Sequence, residues 1–488
     1  ESGIFYQTAL CFAALQELAT KTQFQGCRHI DPAYAEYWRS LADAVIERSL
    51  AQLAKQRFFD EYFPGERSFP ATAFSCYAIL KAALLIGKTG IGLRPELRRA
   101  ARGLIRRGRS AASNQNVAAA AFLLLLAKAG GSEATDLEDA SAKLLQPEGV
   151  LRYPEYGGFD LGYATVTLNF LACIEADGTG AVSEQLDALA STIVRYITPS
   201  GLLGGEYTSR STTYLLPYGL VAAAYRNPVI AAQVAGVDLP AVYAKLDDRY
   251  LLHYCLPSLA LTALRLADSG TPMISDRRSE GLRSVGFIDD ETDFFHARRG
   301  RTSVFIALKK GGNAQVESNG QTIIDCGYRI TRNGKTYSSS VQSADTRYNL
   351  SISGDDIYEI EVISRFYTFA PLVPSPLKTV VLRAIGIIGP ILAGLFKKLL
   401  VTHPSFLAGV VLTRRVIIDL TGTDRLVIDD SFSGLKPGDK VAPAPPASPR
   451  LVPSARFYQV GEERAFVPSQ VPVSSTRRTR EVDLASNG

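Results

Sequence analysis

Tyr153-Pro154-Glu155-Tyr156-Gly157-Gly158-Phe159-Asp160-Leu161-Gly162-Tyr163 opens directly onto the apolar run 163–176, whose hydrophobic residues recur at helical spacing. The same unit, a short loop followed by a helical run, fills the chain to about residue 270. Further runs read as helices over 34–53, 71–85, 116–129, 182–197, 212–225 and 254–267, with Gly, Pro or Asp between them. Consecutive helices joined by short loops predict helical hairpins packed side by side, as a solenoid or a closed ring. No fixed-period repeat marks a solenoid, so the pattern favours the ring.

After about residue 283 the period changes from helical to strand-like. Short β-branched runs at 303–308, 321–325, 348–352, 357–362 and 415–420 are separated by turn signals such as Asn333-Gly334 and Ser353-Gly354-Asp355-Asp356. They predict an antiparallel β domain. The run 437–453 is rich in Pro and Ala and is expected to extend along the surface without regular structure, and the polar residues 474–488 are expected to fray. The fold class is therefore α+β multidomain: a helical toroid over 1–275, an antiparallel β-sandwich over 283–470 and a polar tail over 471–488.

Composition narrows the function. The 488 residues can bury a large core, and a net charge of +5 is too mild to mark a nucleic-acid binder, though it suits an anionic glycan. Cys11, Cys27, Cys76, Cys173, Cys255 and Cys326 form no CxxC pair and read mostly as buried thiols. His29, His253, His296 and His403 form no HxH or HExxH pattern, so neither a metal nor another cofactor is expected. The apolar stretch 384–396 is too short for a bilayer, which needs about 20 such residues. No transmembrane segment is expected. The chain begins at Glu1, so periplasmic or secreted localisation is expected if a signal was removed, and cytoplasmic otherwise. Oligomeric state is not legible.

The loop at 153–163 gathers phenols, carboxylates and glycines ahead of a helix, a combination that suits a carbohydrate cleft: aromatic faces stack on sugar rings, and a hydroxyl moves protons. Two other motifs stand out, Ser113-Asn114-Gln115-Asn116 and Gly204-Gly205-Glu206-Tyr207-Thr208-Ser209-Arg210. With these motifs, a helical ring followed by an antiparallel β-sandwich resembles the heparinase II/III-like polysaccharide lyases over roughly residues 50–430. The resemblance implies cleavage of an acidic, uronic-acid-containing polysaccharide by β-elimination. It requires the uronate carboxylate to be neutralised, the C5 proton removed and the leaving O4 protonated.

In such lyases an asparagine, often followed by histidine, precedes the catalytic tyrosine at a spacing close to the 49 positions between Asn114 and Tyr163. The resemblance thus implies Asn114 as carboxylate neutraliser and Tyr163 as base and acid, with Tyr156 the alternative phenol, Arg210 the cation favouring phenolate and His253 a rescue base. Gln115, Glu155, Asp160, Glu206, Tyr207 and Tyr214 are the expected substrate-binding residues. Two departures from the family are plain: Gln115 stands where histidine often follows the asparagine, and Gly311-Gly312-Asn313-Ala314-Gln315-Val316-Glu317-Ser318-Asn319-Gly320 replaces a histidine-rich segment. Two other readings stay open: a non-catalytic glycan-binding or polysaccharide-assembly protein on this scaffold, and a toroid glycoside hydrolase using paired carboxylates. The basic run Arg94, Arg98, Arg99, Arg102, Arg106, Arg107 and Arg109 reads as a solvated helix face or as a polyanion-steering surface.

Overall fold

The computed structural model describes residues 3–21, 24, 26–27, 30–61, 65–130, 134–146, 153–155, 157–244, 246, 251–273, 286–289, 292–318, 320–353, 356–368, 406–421, 425–446, 464–465 and 477–483. The stretch 384–396, Tyr156, His29 and His403 lie outside them. The helical part runs through α1 (Thr8–Ala19), α2 (Ala35–Gln56), α3 (Phe69–Leu85), α4 (Pro95–Arg107), α5 (Ser113–Gly130), α6 (Ala134–Leu145), α7 (Leu161–Ala176), α8 (Ser183–Val194), α9 (Pro217–Ala224), α10 (Pro228–Val234), α11 (Leu239–Ala244) and α12 (Leu256–Ser269).

Helices α1, α3, α5, α7, α9 and α12 each pack against the next in that order, and α12 packs back on α1. They close a ring. The reason lies in their sequences: α3, α5, α7 and α9 are apolar nearly all round and are buried nearly all round, as a helix without a polar face must be. Helices α2, α4, α6 and α8 each bury one stripe and form the outer layer, as with Leu97, Ala100, Ala101 and Leu104 on α4. The run expected to be helical over 212–225 turns helical only at Pro217, because Thr212 and Leu216 are tied in extended form to Asp160 and Thr165, and proline suits the first helical position.

The N-terminal ends of the inner helices share one rim. Ser75 Oγ on α3 donates to Gly3 O ahead of α1, Ser113 N on α5 donates to Pro154 O ahead of α7, Gly162 N on α7 donates to Thr212 Oγ1, and Tyr218 N on α9 donates to Ser258 Oγ on α12. The three motifs of the sequence lie on this rim.

Fourteen strands are described beyond it, β1 (Phe287–Asp289), β2 (Phe294–Arg299), β3 (Thr302–Ala307), β4 (Asn313–Ser318), β5 (Gln321–Asp325), β6 (Tyr328–Arg332), β7 (Lys335–Ser338), β8 (Arg347–Ile352), β9 (Ile357–Thr368), β10 (Phe406–Asp419), β11 (Arg425–Ser433), β12 (Lys440–Pro443), β13 (Arg464–Ala465) and β14 (Arg477–Asp483). One sheet has the order β1-β2-β3-β4-β5-β13, and the other β12-β6-β7-β9-β10-β11-β14, with β8 beside β9. Pairing is antiparallel except between β13 and β5. Phe295, Val304, Ile306 and Val316 of the first sheet meet Ile360, Val362, Val416 and Ile428 of the second in one apolar core, which makes a sandwich. With a period of two, the other face of the first sheet carries Phe294, Phe305 and Ala307, and these join the core of the helical ring. The first sheet is buried on both faces, which is why β3 and β4 are buried throughout.

Two sequence expectations fail at the C-terminal end. The Pro- and Ala-rich run contributes β12, an edge strand paired with β6, where Pro443 closes the strand and costs no inner ladder bond. The polar tail contributes β14, paired with β11 from Arg425↔Asp483 to Ser431↔Arg477. Charge drives that pairing. Arg480 of β14 and Arg414 of β10 are both buried, and both contact Asp325 and Asp430; Arg477 pairs with Asp429 at the surface. A helical or strand periodicity does not reveal such a strand, because its inward residue is an arginine. All six cysteines are free, five buried and Cys27 exposed.

Removing one member of a buried charge group leaves the others unpaired. Arg480→Met is therefore expected to cost about 3–5 kcal/mol of stability, read as a lower urea midpoint, while Arg477→Met at the surface is expected to cost under about 1 kcal/mol. Equal effects from the two would show that Arg480 does not hold the sandwich.

Candidate functional site

Asp160 organises the rim. It caps α7 by accepting from Tyr163 N (3.1 Å), and it also accepts from Thr208 Oγ1 (2.8 Å), Arg210 N (2.9 Å), Thr212 N (3.4 Å) and Thr212 Oγ1. With five donors on two oxygens and no exposure, it is a structural carboxylate that ties the loop 205–212 to the start of α7. The sequence expectation of a sugar-binding Asp160 gives way to this role. The loop is held from the other side by the β domain. Lys310, in the turn after β3, donates from Nζ to Glu206 O (3.0 Å), Thr208 O (2.7 Å) and Ser211 Oγ (2.7 Å). Burial lowers the Lys310 pKa, and Glu206 opposes the shift.

The polar face of β4 completes the clamp. Gln315 accepts from Glu206 N (3.1 Å) and donates to Gly204 O (3.2 Å), Glu317 accepts from Ser200 N (3.1 Å), and Asn313 donates to Glu206 O (3.3 Å). Gly205 has φ +131°, and a Cβ there would strike the Gln315 amide, so glycine is required for this approach. Gly158 plays the same part nearer the quoted loop: a Cβ on it would lie 2.6 Å from Gln342 Cδ and 2.8 Å from Ser209 Cβ. The sequence marked neither Lys310 nor the β4 amides as functional; the available signal was the alternate polar side chains of β4 and a lysine in the turn that precedes it.

Within this frame Asn114 and Glu155 lie side by side. Residues 153–155 run along the start of α5: Ser113 N and Oγ donate to Pro154 O, and Asn114 N donates to Glu155 Oε1 (3.0 Å). Glu155 is 1% exposed and Asn114 2%. Burial pushes the Glu155 carboxyl up to about 8, opposed by the Asn114 backbone N–H; Asp160 raises it, while Arg210 and the Asn114 side chain lower it. Even so, Asn114 Nδ2, Glu155 Oε2 and the neighbouring Tyr153 hydroxyl make no hydrogen bond of ordinary geometry. Buried polar atoms of this kind require a partner. Burial also pushes the Tyr153 phenol up to about 12.

Half-buried Tyr163 follows Asp160 by three positions and meets Tyr214 edge-on at 5.7 Å; Tyr214 in turn leans on Tyr254 at 6.5 Å. Tyr254, Phe74, Tyr77, Phe170 and Asn169 line a cavity inside the ring below them. Gln115 accepts from Ser110 Oγ (2.6 Å) beside the same helix start.

The rim thus gathers Asn114, Gln115, Glu155, Asp160, Tyr163, Arg210 and Tyr214. Other expected residues go elsewhere. Tyr207 is fully buried and stacked on Phe305 at 4.5 Å, in an interdomain cluster with Tyr196 and Phe294, so it is a packing residue and not a sugar platform. Glu206 accepts from Ser211 Oγ (3.1 Å) beneath Lys310. His253 is buried with its ring 4.2 Å from Phe5. His296 is stacked on Phe305 at 4.5 Å, and burial, with Arg298 adding, lowers its pKa to about 3. Tyr156 lies outside the described residues.

No family model matches the chain, and no curated protein does. Among solved structures, it is similar to the crystal structure of heparinase III, with a TM-score of 0.44 and 10% identity over 82% of this chain and 61% of that one. It is also similar to a second heparinase III, with a TM-score of 0.37 and 11% identity over 75% of this chain and 54% of that one. The chain spans less than two thirds of the length of either. Likeness at this level leaves the chemistry to be argued from the rim itself.

Because the Glu155 pKa is raised in the folded protein, the folded state holds a proton that the unfolded chain releases above the ordinary 4.5. Stability on this account is fully present below pH 4.5 and falls between 4.5 and 8, by up to about 1.4 kcal/mol per unit. Glu155→Gln keeps an oxygen for Asn114 N and cannot ionise. Its melting temperature is expected to exceed wild type at pH 8.5 and to match it near pH 4.5; a constant difference across that range would rule out Glu155 as the titrating group.

Proposed function

We propose that the protein is a polysaccharide lyase that cleaves an acidic, uronic-acid-containing polysaccharide by β-elimination at this rim. The observation that carries the reading is the pair of buried, unbonded polar atoms, Asn114 Nδ2 and Glu155 Oε2, set beside Arg210 and a few residues from Tyr163. Near neutral pH a Glu155 with a pKa of about 8 is mostly protonated, so it donates a hydrogen bond to a ligand carboxylate. Together with the Asn114 amide and the Arg210 cation it neutralises the uronate, which acidifies the C5–H. Tyr163 as phenolate takes the C5 proton, the electron pair forms the C4=C5 bond, and the C4–O4 bond breaks with the proton passing to O4. Half-buried Tyr254 offers a ring face to the sugar, and buried Tyr214 backs Tyr163 edge-on.

A hydrolase with paired carboxylates has less support, since Asp160 is saturated by five donors and Glu206 accepts from Ser211 beneath Lys310. The binding-only reading has one observation in its favour: the two histidines among the described residues, His253 and His296, are both packed on aromatic rings, and β4 presents amides that clamp a loop. Incubation with a panel of acidic polysaccharides separates these readings. The expected outcome is a rise in the ultraviolet absorbance of the unsaturated uronate, abolished in Tyr163→Phe with folding and glycan binding retained. New reducing ends without that absorbance would favour the hydrolase, and binding without either would favour the non-catalytic reading.

A further inference from the structure

The rim has a second charged feature that the Asn114–Glu155 group does not use. Helix α4 runs to Arg107, and the residues that follow lead straight into the first turn of α5: Ser110 N donates to Asn116 Oδ1 (2.7 Å), and Ser110 Oγ donates to Gln115. Arg109 is therefore a few residues from the unbonded Asn114 amide. Arg106, Arg107 and Arg109 are exposed, as is Arg67, which directly precedes the Ser68 cap of α3. Arg107 lies over the Phe58 ring at 4.4 Å and donates to Arg67 O, which sets two guanidinium groups close together.

The neighbouring carboxylates hold their own loop, and buried Glu66 also acts on Arg107 through its charge. Asp60 accepts from Gly65 N and Arg67 N, Glu61 from Ser68 Oγ and Glu66 from Glu61 N. Among the described residues, no ion pair ties Arg106, Arg107 or Arg109 to a carboxylate. The clamp between the two domains engages the rim on its α7–α9 side, through residues 196–211, and the arginines stand on the α3–α5 side.

We propose that Arg67, Arg106, Arg107 and Arg109 form an anion track that continues from the Asn114–Glu155 site and holds charged sugar units of the same polysaccharide beyond the unit at that site. The partner is a polyanionic glycan long enough to reach from one to the other, and the proposal rests on the rim being a glycan site. Guanidinium groups suit the task, since each offers a planar fork to a carboxylate or a sulfate. The track makes affinity depend on chain length and on salt, because exposed charge contacts are screened.

The test is binding, not turnover. Fluorescein-labelled polygalacturonate and heparin, each as a long chain and as a size-fractionated short series, are titrated with wild type and with Arg106→Gln/Arg107→Gln/Arg109→Gln, following anisotropy at several salt concentrations. The expected result is an affinity for long chains reduced about tenfold at low salt, as three exposed charge contacts would give, a shallower salt dependence, and a loss that grows with chain length. Arg106→Gln/Arg109→Gln spares the Arg107 packing on Phe58 and should show the same trend at smaller size, which separates lost binding from lost folding. A loss equal at all chain lengths, unchanged affinity in the triple variant, or no binding of either polyanion by wild type would overturn the proposal. The lyase reading fails separately: absorbance of unsaturated uronate with an unaffected triple variant removes the track alone, whereas length-dependent binding without that absorbance supports the track and removes the lyase.

Discussion

The loop 205–212 is held from two sides at once, and the rest of the rim depends on that double hold. From the helical ring, the Asp160 carboxylate accepts donors of Thr208, Arg210 and Thr212 while capping α7. From the β-sandwich, Lys310 and the amide of Gln315 satisfy the carbonyls and N–H of Gly204, Glu206 and Thr208. A buried polar loop with no water to turn to must find its partners in the protein. Here half come from each domain, so the two can separate only by exposing a set of unpaired groups on both sides. Arg210 and Tyr163 inherit their positions from this hold, through a backbone N–H bonded to Asp160 in each case.

The same constraint explains the unusual burial of the first sheet. A sheet in a sandwich ordinarily shows one face to water, and its strands then alternate apolar and polar. In β3, Val304 and Ile306 face the sandwich core while Phe305 and Ala307 face the helical ring, so no alternation survives to be read. In β4 the alternation is present but means something else: Ala314 and Val316 point into the sandwich, and Asn313, Gln315 and Glu317 point to the loop and not to solvent. A polar residue in a strand is usually a mark of exposure; at a domain interface it marks bonding to a neighbour.

This sets what the sequence could disclose. The inner helices were legible because their burial follows from local composition, as in 116–129 and 163–176, and so were strands with clear β-branched runs, such as 303–308 and 357–362. The Asn333-Gly334 turn was legible because both residues adopt positive φ, 51° and 72°, which that pair tolerates. Strand β14 was not, since its pairing rests on Arg480 reaching Asp325 and Asp430, residues distant in sequence. At the rim the Asn114 and Tyr163 segments lie at one edge, but their spacing in sequence could not rank the acids around them. Asp160 and Glu155 are five positions apart in one loop and look alike in sequence. Only the donor count separates them, five for Asp160 against one of ordinary geometry for Glu155, from Asn114 N to Oε1.

That difference between two neighbouring carboxyls bears directly on chemistry. A carboxylate whose lone pairs are filled by fixed donors has little left to offer a ligand, whereas a buried carboxyl short of donors takes up a proton and becomes a donor itself. Glu155, with its pKa near 8, belongs to the second kind. An acid in that state beside an amide and an arginine presents donors alone to an incoming anion, which is the requirement for holding a carboxylate out of water. On the proposed reading, ionisation of Glu155 above pH 8 would set a negative charge against that same anion, and affinity for an acidic sugar would fall as the pH rises through the Glu155 pKa. A simple screening of exposed charge has no such midpoint. The two proposed contributions at the rim would then be separable by condition, the Asn114–Glu155 group by pH and the arginine track by salt.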